Sequence, residues 1–165
     1  MIGQNDIIIQ SWEQLCEEVY HDSWKPAMGR YRSDYAFRGL SDKNYELKNS
    51  FLRNCGEKPE LEYHLLRNFR KYSIHSDPQL TGTFWRALVL AQHHGLPTRL
   101  IDWTYSPFIA MHFATANTEK YDTDGVIWKV DFVKVNQLVP EPFCDGLKNE
   151  KCNAFTLEML EKIVS

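Results

Sequence analysis

The sequence predicts a helix-rich α+β domain built on a small sheet, and three observations point there. Apolar stripes at helical spacing recur along the chain, clearest over residues 60–74 and about 82–94. Strand signals are few, confined to Tyr35-Ala36-Phe37-Arg38 and Val126–Phe132. The length of 165 residues, 43% apolar and 25% charged, suits one globular domain with a core that needs no staples. Helices outnumbering strands in this way imply a compact α+β arrangement, or a sheet whose later strands lie beyond this chain.

Taken in order, Ile7-Ile8-Ile9 leads into a helix to residue 20, with Trp12, Leu15, Cys16 and Val19 at helical spacing and Ser11 as its cap. Residues 21–33 are polar, broken by Pro26 and Gly29, and read as a loop. Tyr35 to Arg38 reads as a strand that turns at Gly39, before the polar connection Ser41–Asn44. The 60–74 helix places Leu61, Leu65, Leu66, Phe69 and Tyr72 on one face. Its cations Arg67, Arg70 and Lys71 either meet phosphates or form a solvated face paired with Glu60 and Glu62.

The next helix carries the stripe Trp85, Leu88, Val89 and Gln92, with Gly95 suited to the position past its end. Leu96, preceding Pro97, is biased toward extended backbone. A further helix opens near Ser106, with Pro107 in its first turn and a stripe of Phe108, Met111, His112 and Thr115. Asp122–Gly125 reads as a turn before the 126–132 strand. Past Val133 the pattern weakens, Pro140 and Pro142 break it, and Phe155, Leu157, Leu160, Ile163 and Val164 mark a last helix.

Charge and composition narrow the function. A net charge of −3 gives no global basic field for nucleic acid or an anionic membrane. No run approaches the roughly 18 apolar residues of a membrane span, and Met1 to Asp6 lacks the pattern of a signal peptide, so a cytoplasmic location is expected. Cys16, Cys55, Cys144 and Cys152 form no Cys-x-x-Cys pair, so reduced thiols and no metal site are expected. The 5 Trp, 8 Tyr and 9 Phe either fill a small core or line a pocket for a flat ligand such as a nucleobase or nicotinamide.

The run Ala91-Gln92-His93-His94-Gly95-Leu96-Pro97-Thr98-Arg99-Leu100-Ile101-Asp102-Trp103-Thr104 carries the densest chemistry. Burying so many polar groups without partners costs several kcal/mol. The run is therefore a satisfied polar junction or the wall of a site. Asp102 can orient a histidine, anchor a ribose hydroxyl, or neutralise Arg38 or Arg99. His93 and His94 point about 100° apart on a helix. One of them facing Asp102 would complete a Gln92/His93/His94 polar layer and an acid–base pair. Thr104 suits a cap or turn before Ser106. Trp103 is a core residue or a stacking platform. Arg38 before Gly39 suits an anion, its planar fork matching phosphate or carboxylate, while Gly39 lets a ligand approach the backbone. Alternatively Arg38 is an ion-pair pin to Asp102 or Asp42.

Phe37-Arg38-Gly39, the 91–104 run and Ala110-Met111-His112-Phe113-Ala114 together resemble the FRG domain family, over about residues 30–133 of a single domain spanning 1–165. The order of these motifs is in turn similar to that of arginine-type ADP-ribosyltransferases. There an aromatic-Arg-Gly strand contacts the dinucleotide, a Ser/Thr-rich strand follows, and a third strand supplies a glutamate. The resemblance implies a small, mainly antiparallel sheet with several helices and NAD as the ligand and substrate. It further implies a nucleotide-handling role in bacterial defence, phage defence included, or in a toxin system. Arg38, Asp102 and His94 are then the catalytic candidates. Arg38, Gly39, His93, Thr98, Arg99, Trp103, Thr104 and Tyr105 are the candidates for holding the dinucleotide. Two departures stand out. Asp102-Trp103-Thr104 replaces the Ser-Thr-Ser-like triplet, and no glutamate follows Val130 in a strand context. Residues 134–165 read as a weakly patterned tail, so the family's final strand is absent from this chain or diverged. The alternative is a non-catalytic module with a structural Arg/Asp pair, binding a peptide or protein partner.

Overall fold

The structure, a computed structural model, describes residues 6–73 and 83–164. These divide into two compact units. The first takes in the described residues up to Lys43 together with Trp103–Val133; the second takes in those from Asn44 to Asp102 and from Lys134 onward. Helices dominate and the strands pair only antiparallel, so the chain is α+β, as the sequence predicts.

In the first unit, helix α1 (Trp12–Tyr20) begins where Ser11 accepts a hydrogen bond from the Gln14 amide (3.1 Å), and Gln14 Oε1 accepts in return from the Gln10 amide (2.8 Å). Strands β1 (Trp24–Lys25) and β2 (Arg30–Tyr31) form a small hairpin. Strand β3 (Tyr35–Leu40) pairs along its length with β4 (Val126–Asp131), Tyr35 opposite Asp131 and Leu40 opposite Val126. On its other edge, Phe37 exchanges both backbone hydrogen bonds with Thr104, at 2.7 and 2.9 Å. Helix α5 (Pro107–Thr115) packs on this ribbon, and Val19, Phe37, Ala110 and Met111 form the core with Leu15, Tyr35 and Ile127 beside it.

Lys129 ties α1 to the ribbon. Its ammonium donates to the Glu18 carbonyl (2.7 Å) and the His21 carbonyl (3.4 Å), orphan acceptors at the helix C-terminus, and lies 4.1 Å from the Tyr35 ring centre.

The second unit holds α2 (Ser50–Cys55), α3 (Pro59–Ser73), α4 (Phe84–His93), α7 (Glu141–Asn149) and α8 (Leu157–Val164); a short α6 (Phe132–Val135) follows β4. Its core is Leu66 from α3 and Ala87, Leu88 and Ala91 from α4, with Phe69, Trp85, Leu96 and Leu100 packed around them. Gly95, just past α4, takes the left-handed conformation (φ 85°) that a helix C-terminus favours.

Several expectations need correcting. Residues 21–33 are not a plain loop: Pro26–Met28 and left-handed Gly29 are the turn of the β1/β2 hairpin. Strand β3 does not turn at Gly39 but runs through it to Leu40. Pro140 and Pro142 do not break structure; they start α7, where a missing N–H is harmless. The 126–132 strand ends at Asp131, and Phe132 opens α6. On α5 the buried face is Pro107, Ala110 and Met111, while Phe108 and His112 are exposed. On α4 the buried face is Ala87, Leu88 and Ala91, leaving Val89 exposed; on α3, Tyr72 is exposed. In α8 the buried residue is Met159. Helix α2, capped by Asn49 accepting from the Leu52 amide (2.9 Å), went unanticipated. Positions 74 and 82 of the expected helices lie outside the described residues, as do Met1 to Asn5.

Candidate functional site

Of the ten candidate residues, Arg38, Gly39, Trp103, Thr104 and Tyr105 belong to the first unit, and His93, His94, Thr98, Arg99 and Asp102 to the second.

Along β3 the side chains alternate between faces. Phe37 and Gly39 turn toward α5, Phe37 fully buried and Gly39 against the Ala110 and Ala114 backbone. Arg38 therefore leaves the ribbon on the opposite face, half-buried. Its cross-strand partner is Trp128, whose indole leaves β4 on that same face. A guanidinium and an indole thus stand side by side on a rigid two-stranded support. Trp128 went unrecognised in the sequence; the signal for it was the alternation of Ile127, Lys129 and Asp131, which assigns Trp128 to the other face.

Gly39 is committed to packing, not to ligand approach, because the helix backbone already fills the space a ligand would need. Thr104 shares its backbone with β3, and its hydroxyl accepts from the Ser106 amide (3.1 Å), a turn that leads into α5. Tyr105 is exposed and packs edge-on to Phe132 with ring centres 5.4 Å apart. Trp103 is 37% exposed, so it is not a core residue.

The second unit holds a polar junction centred on Thr98, which is fully buried. Its amide donates to Ser50 Oγ (3.0 Å), its carbonyl accepts from the Phe51 amide (3.0 Å) and Ser50 Oγ (3.2 Å), and its hydroxyl accepts from the Leu100 amide (3.3 Å). That hydroxyl donates to Gln92 Oε1, and the Gln92 amide nitrogen donates to Asp102. Gln92 thus relays between a buried hydroxyl and an exposed carboxylate. A hydroxyl held this way is not on offer to a ligand, so Thr98 is a junction residue.

Arg99 points its guanidinium at Glu62 (Nε to carboxylate 3.1 Å) over the Phe51 ring (5.4 Å to its centre), and Glu62 also accepts from the Arg99 amide (2.7 Å). The expected histidine layer reduces to Gln92. His93 and His94 are both exposed, with ring centres 5.8 Å apart, and His94 lies 6.0 Å from the Phe69 ring. Asp42, the other proposed pin for Arg38, accepts from Lys120 at 2.7 Å. The four cysteines are free thiols. Among the described residues, no group of three or more His, Cys, Asp or Glu side chains is placed to hold a metal ion, and no helix is long and apolar enough to cross a membrane.

These features describe an α+β domain whose Phe-Arg-Gly strand is locked between a tryptophan-bearing strand and a small-residue helix. Residues 33–123, more than half of the chain, match the FRG domain, and the chain belongs to that family. No curated protein and no solved structure matches it.

Proposed function

We propose that this FRG domain binds a nucleotide, with NAD as ligand and substrate, on the Arg38 face of the β3/β4 ribbon. The observation that carries this reading is the cross-strand register of Arg38 with Trp128. A guanidinium fork matches a phosphate bidentately, and an indole offers a flat apolar partner to a base or nicotinamide. A dinucleotide presents both chemistries a few ångströms apart. In a transferase step, the bond from ribosyl carbon to the nicotinamide nitrogen breaks, its electron pair leaves with nicotinamide, and the acceptor's nucleophile bonds the cationic ribosyl carbon and gives up its proton to water. Roles for Asp102 and His94 in that step, and a setting in defence, rest on the order of the motifs alone.

A second reading, a non-catalytic recognition module, is favoured by the junction. Gln92, Thr98 and Ser50 satisfy one another there, which is what a brace requires.

Thermal unfolding of the whole chain with and without NAD tests the first reading. At 100 times the dissociation constant, ligand should stabilise the native state by about 2.7 kcal/mol. That shift should vanish in Arg38→Ala and shrink in Trp128→Leu, provided both stay folded. Release of nicotinamide then reports chemistry. No shift in the wild type removes the nucleotide reading and leaves the recognition module.

A further inference from the structure

The first unit carries a cluster of exposed aromatic rings. Tyr20 ends α1, Trp24 and Tyr31 are cross-strand partners in the hairpin, and Phe108 stands on the outer side of α5. Their ring centres are 6.2 Å (Tyr20–Tyr31), 5.1 Å (Trp24–Tyr31) and 6.1 Å (Tyr20–Phe108) apart, so the four form one continuous patch. Yet their exposures are 38% for Tyr20, 49% for Trp24, 68% for Tyr31 and 50% for Phe108. Contiguous apolar surface of this kind marks an interaction site, whereas single exposed rings do not.

Charge says what the partner carries. Arg30 and Arg32 flank Tyr31, both exposed, and neither side chain has an ion-pair partner among the described residues. The hairpin's other cation, Lys25, is neutralised by Asp34 at 3.0 Å. Two arginines without an ion-pair partner, set against the one exposed carboxylate of Asp22, leave this segment a local excess of positive charge that attracts carboxylates on a molecule of net charge −3. Trp, Tyr and Arg together are the composition of binding hot spots. The rings meet at interplanar angles of 59° to 71°, which offers edges and pockets but no run of parallel faces on which successive bases could stack. Protein is therefore favoured over single-stranded nucleic acid.

We propose that this patch docks an extended acidic segment of a partner protein, with apolar side chains set between its carboxylates. Tyr20, Trp24, Arg30, Tyr31 and Arg32 precede the family match at residues 33–123, and Phe108 lies within it. The surface shares no residue with the Arg38 face and needs no nucleotide.

The test is a nuclear magnetic resonance titration of the whole chain with three probes: a short synthetic peptide alternating Glu with Leu and Phe, the same peptide with Lys for Glu, and oligo-dT. The acidic peptide should move the Trp24 indole signal and the Lys peptide should not. The double variant Arg30→Glu/Arg32→Glu should bind the acidic peptide at least roughly tenfold more weakly at an unchanged melting temperature, and so should Tyr31→Ser. Failure of the acidic peptide to bind overturns the proposal. So does equal binding of the Lys peptide, undiminished binding by the double variant, or tighter binding of oligo-dT. A dimer that Tyr31→Ser dissolves overturns it in favour of a second copy of this chain.

Discussion

Gly39 rests against the backbone of Ala110: a Cβ at position 39 would stand 1.8 Å from the Ala110 carbonyl oxygen and 2.8 Å from the Ala114 amide nitrogen. Gly125, beside the start of β4, meets the same helix, its absent Cβ 2.9 Å from the Ala114 carbonyl oxygen. Two glycines and two alanines thus set how closely α5 approaches the ribbon, and the third letter of the Phe-Arg-Gly triplet has a packing cause.

Gly39→Ala should accordingly cost about 3 kcal/mol or more, since backbone atoms cannot move aside as a flexible side chain can. Ala110→Gly should not rescue it, because the obstacle is a carbonyl. Gly29→Ala is the contrast. Gly29 is left-handed (φ 59°, ψ 28°) with open space around it, so its substitution carries only the left-handed penalty of about 1 kcal/mol. Urea unfolding of the two variants compares them, and equal losses would refute the packing account.

Thr98→Val keeps the shape of the side chain and removes its hydroxyl. Gln92 Oε1 would lose its donor and the Leu100 amide its acceptor, both beside a fully buried position. The expected loss is about 1–3 kcal/mol, the desolvation cost of unpaired polar groups. Asp102→Asn should cost less, because the acceptor for Gln92 is exposed. Denaturant unfolding orders the two variants, and a neutral Thr98→Val would mean the junction braces nothing.

Most helices were legible because an amphipathic stripe is a local signal, and the Ser11 cap was equally local. What stayed hidden required knowledge of neighbours. Proline marks a boundary without saying which side is structured. Pro26 therefore concealed a hairpin turn, and Pro140 with Pro142 concealed a helix start. Hydrophobicity ranked Phe108 above Ala110 for burial, but the distance set by Gly39 and Gly125 leaves room only for a small side chain. Within the candidate site, Arg38 was legible from its triplet. Trp128 becomes visible only through the β3/β4 register, which no single strand encodes.

Lys129 gives a prediction in pH. Burial pushes its ammonium below the ordinary lysine value of 10.5, whereas hydrogen bonds to Asp124 and Asp145 raise Lys43 and Lys148 above it. Between the lowered folded value and 10.5, the unfolded chain binds the Lys129 proton more tightly than the folded one. This group's contribution to stability therefore rises with pH across that window, and is lost as pH falls through the folded value. Nitrogen-detected titration should show Lys129 losing its proton before Lys43 and Lys148. Titration together with them would mean that its two carbonyl partners and the Tyr35 ring fully offset burial.

On the nucleotide reading, Arg99 is a brace and Arg38 a binder. Arg99 is spoken for twice by Glu62, through its amide and its guanidinium, and its guanidinium lies over the Phe51 ring. Its pair is partly exposed, with side-chain accessibilities of 47% and 17%, so Arg99→Ala should lower stability by only about 1 kcal/mol. It should also leave NAD-dependent stabilisation in place, since the backbone amide still reaches Glu62. Arg38→Lys keeps a positive charge but loses the fork, so on the nucleotide reading it should weaken NAD by roughly tenfold, the difference between bidentate and single-point contact. Calorimetric titration of both variants decides between them. If Arg99→Ala abolishes NAD binding while Arg38→Lys keeps it, the ligand sits on the second unit's arginine and the Arg38–Trp128 pair is structural.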